Sequence, residues 1–308
     1  MLLVGDLGGT NLRMALWRDG ELLGVRRWAV DRLEGLSQAT GLFLRDLDLR
    51  PTHACIGVAG PLDGNRCEHT NAGWVVDGDR IAADNGLEST LLINDFHAAA
   101  KGTTLLREED AVSLGGRIDP KGTRVVLGPG TGLGVAIVHR GDVISGEGGH
   151  QDFAPRGRLQ REALEWLQER MGRVSFEQVC SGPGLMNLHR FLSHRSPEAL
   201  PAASPAAISG LADRCPVARQ AVELFVDIYG QFAGDLALLT AATGGVWLAG
   251  GIAPQLMPVL QRRFRPAFED KAPREHLLRP IGIRLITHPQ PGLLGAGAVL
   301  AEKLANRD

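Results

Sequence analysis

The sequence predicts a two-lobed α/β protein whose lobes share one plan and enclose a cleft, and three observations carry that prediction. Residues 3 to 16 read LVGDLGGTNLRMAL and residues 125 to 138 read VVLGPGTGLGVAIV; each is an apolar strand folding back through a glycine and threonine turn into another strand. Around residue 105 the composition shifts to a charged, glycine-rich segment, Arg107 to Thr123, so the two hairpins open separate lobes. Short apolar strands then alternate with helical patterns, an arrangement that gathers ligands at the carboxyl ends of strands.

Neither turn is one of the common phosphate loops. A mononucleotide loop needs G-x-x-x-x-G-K-[ST], and the dinucleotide fingerprint runs from a strand into a helix. GPGTGLG at 128 to 134 instead has glycine at every second position, and Val135 and Ile137 resume strand alternation. Glycine allows φ > 0 and close approach of the backbone to a ligand, so each turn can aim N–H groups at an anion. A pair of them predicts a phosphate chain gripped from both sides.

Along the first lobe, Leu2 to Asp6, Leu12 to Trp17 and Leu22 to Val30 read as antiparallel strands, with Asp19-Gly20 a hairpin signal. Leu33, Leu36, Thr40, Phe43 and Leu47 recur at helical spacing. Ala54 to Val58 is a buried strand ending in AGPLDGN, and Leu91 to Ile93 is another, ending at Asn94-Asp95 where an alanine-rich helix, Phe96 to Leu106, begins. The outline is β-β-β-α-β-α-β-α. In the second lobe a helix is predicted over 158 to 171 and a longer one over 216 to 240. On the longer helix Val217, Ala221, Phe225, Ile228, Phe232, Leu236 and Leu239 trace one apolar face. A strand VWLA ends at Gly250-Gly251, Ile281 to Thr287 is a further strand, and 291 to 304 is the last helix. The lobes are therefore expected at 1–105 plus 290–308 and at 106–289.

Composition narrows the function. At 308 residues and 44% hydrophobic content the chain can fill a large core, and a net charge of −2 without a basic block argues against nucleic acid. The expected partner is a small molecule. Cys55, Cys67, Cys180 and Cys215 are scattered without a C-x-x-C, which argues against structural zinc and disulfides and favours the cytoplasm. The N-terminus lacks the pattern of a signal peptide. The uncharged run 236 to 254 is broken by glycine pairs and a proline, and reads as buried core, not a membrane span.

Few residues are placed for chemistry. Asp95, where a strand ends and a helix starts, is either a helix cap or a carboxylate that takes a hydroxyl proton in phosphoryl transfer, with Asn94 beside it as a neutral hydroxyl binder. In SGEGGHQDFAP, residues 145 to 155, Glu147 and His150 flank two glycines. They suit adjacent hydroxyls of a polyol, although a solvated loop or part of a metal site fits the same letters. Asp6 lies within a buried strand beside the first turn, where a carboxylate is costly without a cation. Magnesium fits there, as does a turn-capping role. By spacing alone Glu177 is a surface glutamate.

The ordered set LVGDLGGTNLR, INDFHAAA, GPGTGLGVA, GEGGHQDFAP, CSGPGLMNL, WLAGGIAP, AFEDK and PGLLGAGA spans nearly the whole chain and resembles the bacterial glucokinase family. The resemblance implies the two-lobed actin-like ATPase (ribonuclease H-like) fold with a duplicated plan and an interlobe cleft. It further implies transfer of the γ-phosphoryl of ATP to the 6-hydroxyl of D-glucose, the first step of glycolysis, with lobe closure on the sugar. By position it assigns ATP to Gly5, Asp6, Leu7, Gly8, Gly9 and Thr10, to Gly130, Thr131 and Gly132, and on the adenosine side to Gly250 and Gly251. Magnesium falls at Asp6 and the catalytic base at Asp95. Glucose falls to Asn71 (after Thr70), Asn94, Asp95, Glu147, His150 and Glu177.

Phe96-His97 after the base departs from the family pattern. The zinc-cysteine cluster of the related repressor and kinase group is absent, so the zinc-free branch is the better match. A homodimer is the family's expectation. A kinase for fructose, mannose or N-acetylglucosamine is the nearest alternative. A non-catalytic sugar-sensing regulator is the other, and would be expected to carry an N-terminal helix-turn-helix where this chain opens on its first strand.

Overall fold

A computed structural model describes residues 1–45, 47, 50–69 and 73–306. In chain order the elements begin with β1 (Leu2–Leu7), β2 (Asn11–Arg18), β3 (Glu21–Ala29), α1 (Leu36–Leu44) and β4 (His53–Val58). There follow β5 (Leu62–Asp63), β6 (Arg66–His69), β7 (Trp74–Asp77), α2 (Gly78–Asn85), β8 (Ser89–Asn94) and α3 (Asp95–Gly102). Next come β9 (Ala111–Ser113), β10 (Arg124–Pro129), β11 (Leu133–His139), β12 (Asp142–Gly146), α4 (Gly157–Met171), α5 (Gly182–His194), α6 (Pro205–Leu211) and α7 (Pro216–Thr240). The chain closes with β13 (Val246–Leu248), α8 (Met257–Glu269), α9 (Glu275–Leu278), β14 (Ile283–Ile286) and α10 (Pro291–Ala305). Two compact units result, one of Met1–Asp110, Gly141–Ser145 and His288–Asp308, the other of Ala111–Arg140 and Gly146–Thr287.

One sheet runs β3-β2-β1-β4-β8, the other β12-β11-β10-β13-β14-β9. In both, an antiparallel hairpin (β1 with β2, β10 with β11) is followed by strands added in parallel (β4 and β8, β13 and β14). The duplicated plan is thus a property of strand order and direction. A small antiparallel sheet, β5-β6-β7, is inserted between β4 and α2.

The first sheet is covered on both faces, which explains why β1 is apolar at consecutive positions. Leu3 and Leu7 pack into a core with Phe43 of α1 and Ile81 of α2. Val4 points the other way, into a core with Ala98 of α3 and Leu293 and Leu300 of α10. At two glycines helices α3 and α10 meet backbone to backbone: a Cβ on Gly295 would lie 1.8 Å from the Ala98 carbonyl oxygen, and one on Gly102 would lie 2.1 Å from that of Pro291. In the second unit α7 is buried along most of its length, and Phe176 stacks on Phe232 with centroids 4.3 Å apart. The buried Tyr229 donates its hydroxyl to the Leu127 carbonyl of β10 at 3.1 Å.

Several boundaries differ from the sequence reading. Helix α1 covers Leu36–Leu44, while Leu33 and Leu47 pack against the same core from outside the helix. Helix α3 begins at Asp95 and stops at Gly102, short of Leu106, with Gly102 committed to its contact with Pro291. Leu239, expected on the apolar face of α7, is 75% exposed because the helix outruns the core there. Among the described residues no helix is long and apolar enough to cross a membrane.

The α3–α10 contact yields a paired stability test. Gly295→Ala forces the helices apart and is expected to destabilise by about 1–3 kcal/mol. Gly210→Ala, in α6 with no atom near the new methyl, should stabilise by roughly 0.4–1 kcal/mol. Urea unfolding of both variants checks the pair, and equal midpoints would contradict this account of the packing.

Candidate active site

In the first unit the β1–β2 turn is closed by Gly8 N–H donating to the Asn11 carbonyl at 3.0 Å, and the Asn11 amide donates to Thr10 Oγ1 at 2.8 Å. Asp6 shares the face of Val4, toward α10. Its carboxylate accepts from Arg13 at 3.2 Å, and a Cβ on Gly292 in the first turn of α10 would lie 3.2 Å from Asp6 Cγ. Burial pushes the Asp6 pKa up, and Arg13 opposes that without overcoming it. The positive end of α10 acts on the carboxylate in the same sense as Arg13.

At the end of β8, Asn94 is the cap of α3, its side chain accepting from His97 N–H at 3.1 Å. Asp95 is therefore the first helical residue, half-buried, with Oδ1 accepting from the adjacent Phe96 N–H at 2.8 Å. Gly57 of β4 lets this start of helix come close: a Cβ there would be 3.4 Å from Asp95 Cα. The negative charge of Asp95 adds to burial in raising the pKa of the Cys67 thiol.

In the second unit the β10–β11 turn is pinned by Gly130 N–H to the Gly132 carbonyl and by Gly182 N–H to the Gly130 carbonyl, both 2.8 Å. The second bond brings the amino end of α5 onto the turn. That end is capped by Ser181, which accepts from Gly184 N–H at 3.0 Å. Glu177 Oε2 accepts from Leu133 N–H of the same turn at 2.8 Å, while Glu177 Oε1 lies 3.9 Å from His150 Nδ1. On the ring's other side His150 Nε2 is 3.9 Å from Glu147 Oε2.

The loop carrying Glu147 and His150 is set by backbone contacts. Glu177 N–H donates to the Gly149 carbonyl and Phe176 N–H to that of Gln151, both at 2.9 Å. A Cβ on Gly149 would strike the Leu133 carbonyl at 2.2 Å. After β13, Gly250 has φ of 85° and a Cβ there would sit 2.6 Å from the Pro129 carbonyl, so Gly250 and Gly251 adjoin the second turn.

Three groups of the expected residues are thus brought together, each within one unit. Gly5, Asp6, Leu7, Gly8, Gly9 and Thr10 form one end of the first hairpin, and Asn94 and Asp95 sit at the end of β8 in the same sheet. Glu147, His150 and Glu177 cluster against Gly130, Thr131 and Gly132, with Gly250 and Gly251 alongside. Thr70 and Asn71 lie outside the described residues. Among the described residues no three His, Cys, Asp or Glu are placed to hold a metal ion.

Two features went unnoticed in the sequence. The amino end of α5 was legible in principle, since Ser181 followed by Gly-Pro-Gly is a cap with proline in the first helical turn. His69 had no such signal. It is buried at the end of β6, near enough to Gly8 that the backbone there opposes the lowering of its pKa by burial.

This fold and these two turns define a kinase of the actin-like ATPase class. The glucokinase family pattern matches residues 3–303, and the chain belongs to that family. It is 41% identical to a glucokinase of Yersinia pestis (strain Pestoides F), over 98% of this chain and 97% of that one. Its structure is similar to that of a glucokinase from an Antarctic psychrotroph, with a TM-score of 0.86 and 30% identity over 98% of both chains. The fold is shared with a glucokinase of Balamuthia mandrillaris solved with glucose (TM-score 0.80, 22% identity, 97% of this chain and 92% of that one). It is shared also with a ROK family glucokinase of Streptomyces griseus solved with glucose and AMPPNP (TM-score 0.69, 20% identity, 97% and 98%).

The Asp6 environment has a directional test. Replacing Arg13 by Met removes the charge that opposes burial, so the Asp6 pKa, already raised, should rise further. Carboxyl-carbon NMR titration of the variant against wild type reads this directly. An unchanged or lower value would contradict the assigned balance.

Proposed function

We propose that this protein transfers the γ-phosphoryl of ATP to the 6-hydroxyl of D-glucose, giving glucose 6-phosphate and ADP. The observation that carries the reading is the attachment of the Glu147, His150 and Glu177 cluster to the second glycine turn through the Leu133 N–H. It joins groups suited to sugar hydroxyls to a turn suited to phosphate. Family membership and the ligands of the structural relatives, glucose in one and glucose with AMPPNP in another, point the same way.

The roles follow from chemistry. Glu147 and Glu177 accept from sugar hydroxyls, and His150 between them donates or accepts according to its tautomer. Asn71 and Asn94 contribute neutral contacts. Asp95 takes the proton of the 6-hydroxyl as its oxygen bonds to the γ-phosphorus and the bridging oxygen leaves with ADP. At the start of α3 Asn94 accepts from the His97 N–H and Asp95 Oδ1 from the Phe96 N–H. The N–H groups of Gly9, Thr10, Thr131 and Gly132 cradle the phosphates, those of Gly8 and Gly130 closing the turns themselves, and Gly250-Gly251 lies on the adenosine side.

Magnesium would be held at Asp6, and the surroundings fit. Burial raises the pKa of this carboxyl despite Arg13, so further positive charge there favours the ionised form. One carboxylate plus phosphates and retained waters is ordinary coordination for this ion. When bound, it neutralises charge on the transferring group. We place the enzyme in the cytoplasm, in keeping with its four free cysteines, and as a homodimer, following the family.

Asp95→Asn is expected to keep the fold and lower kcat with glucose and ATP by roughly 10²-fold to 10⁴-fold. Turnover near wild type would remove Asp95 as the base. Across a panel of glucose, fructose, mannose and N-acetylglucosamine, kcat/KM should be highest for glucose; a higher value for another hexose would reassign the acceptor.

A further inference from the structure

Residues Gly141–Ser145, the last turn residue of the β11–β12 hairpin and the first four residues of β12, belong to the first unit, although the chain up to Arg140 and from Gly146 onward belongs to the second. Two side chains of α3 hold this stretch. Lys101, buried, donates from Nζ to the Gly141 carbonyl at 2.9 Å and pairs with Glu302 of α10 at 2.7 Å. One turn earlier, His97 Nδ1 lies 3.1 Å from Ser145 Oγ. Burial, with the neighbouring charge of Lys101, lowers the His97 pKa below its ordinary 6.5, which keeps the ring neutral at neutral pH and able to pair with a hydroxyl in either tautomer.

The places of these residues in the chain give the contact its significance. His97 is separated from Asp95 by Phe96 alone, on the rigid first turns of α3, and Ser145 is separated from Glu147 by Gly146 alone. The His97–Ser145 pair therefore ties the helix that carries the base to the strand that delivers a sugar ligand. Lys101 is the buried peg of the same attachment. His97 is only half-buried, so its pairing contributes geometry more than core stability.

Resting on the assignment of Asp95 as base and Glu147 as sugar ligand, we propose that His97 is a positioning residue for phosphoryl transfer. Its pairing with Ser145 fixes the end of β12 on α3 at a point two residues after Asp95 and two before Glu147, so that the segments carrying these two groups are tied there. Misplacement of reacting groups by a fraction of an ångström to one ångström is enough to lower rates by one to two orders of magnitude.

The test compares His97→Ala, Ser145→Ala, the double variant and His97→Asn by steady-state kinetics, with thermal midpoints measured in parallel. Each single alanine variant is expected to lower kcat about tenfold, with a midpoint within about 4 °C of wild type. The double variant should be no worse than the poorer single one, and His97→Asn, which keeps a polar atom near Nδ1, should recover most of the rate. Wild-type kcat in His97→Ala, multiplicative losses in the double variant, or a loss that follows the thermal midpoint and is not rescued by Asn would each overturn the proposal. Asp95→Asn run alongside separates the two levels. If it is active, the underlying assignment fails; if it is inactive while His97→Ala is unaffected, only the positioning role fails.

Discussion

Around the turn that follows β10, backbone segments approach more closely than any side chain would permit. A Cβ on Gly128 would lie 2.4 Å from the Ala249 carbonyl and one on Gly250 2.6 Å from that of Pro129, while one on Gly132 would meet the Glu177 side chain, 2.6 Å from Oε2. Close packing of this kind resists small displacements, since interiors yield only by discrete rearrangement. The turn, the start of α5, the strand end at Gly250 and the Glu177 carboxylate are consequently packed and hydrogen-bonded to one another. Glu177 also carries the loop of Glu147 and His150 through its own N–H. Phe176, stacked on Phe232, anchors that segment from the core side. Groups held this way pay little ordering cost when a ligand arrives.

The first unit solves a different problem, that of placing carboxylates in partly buried positions. Asp6 is placed where Arg13 and the amino end of α10 both oppose the cost of burial. Asp95 is placed by the geometry of β4, β8 and α3, with Gly57 leaving room for the helix start and Asn94 taking the capping bond. Helix α10 recurs in this account because its glycines let it settle on α3 and on Trp17, where a Cβ at Gly297 would lie 2.3 Å from the ring. The same helix supplies Glu302 to Lys101, so the packing of the sheet face and the attachment of the hairpin tip are parts of one structure.

Both hairpins were legible in the sequence because apolar runs on either side of a glycine turn have few other physical solutions, and the long α7 because its apolar period runs for many turns. What escaped was set by contacts distant in sequence. The end of α3 at Gly102 is fixed by its contact with Pro291, although Lys101-Gly102 already has the letters of a helix end. Strands β5 to β7 are too short to show a period. Whether Asn94 or Asp95 caps α3 is a one-residue matter between two good capping residues, and in the structure Asn94 accepts from the His97 N–H while Asp95 accepts from the Phe96 N–H. Glu177 reads locally as a surface glutamate and was singled out only by family resemblance; the structure puts it on the turn because Phe176 and Gly149 place it there. The first and last members of the cluster it joins with His150 and Glu147 are 30 positions apart, 177 minus 147, a distance no periodicity bridges.

The central claim is that one sugar is held by the groups on the second glycine turn while its 6-hydroxyl meets Asp95. A crystal structure with D-glucose and a non-hydrolysable ATP analogue tests it most directly. The account predicts the sugar's O6 within about 2.6–3.2 Å of an Asp95 carboxylate oxygen, other hydroxyls on Glu147, His150 and Glu177, and the phosphates on the two glycine turns. Glucose bound away from Asp95, or with a hydroxyl other than O6 directed at it, would contradict the account.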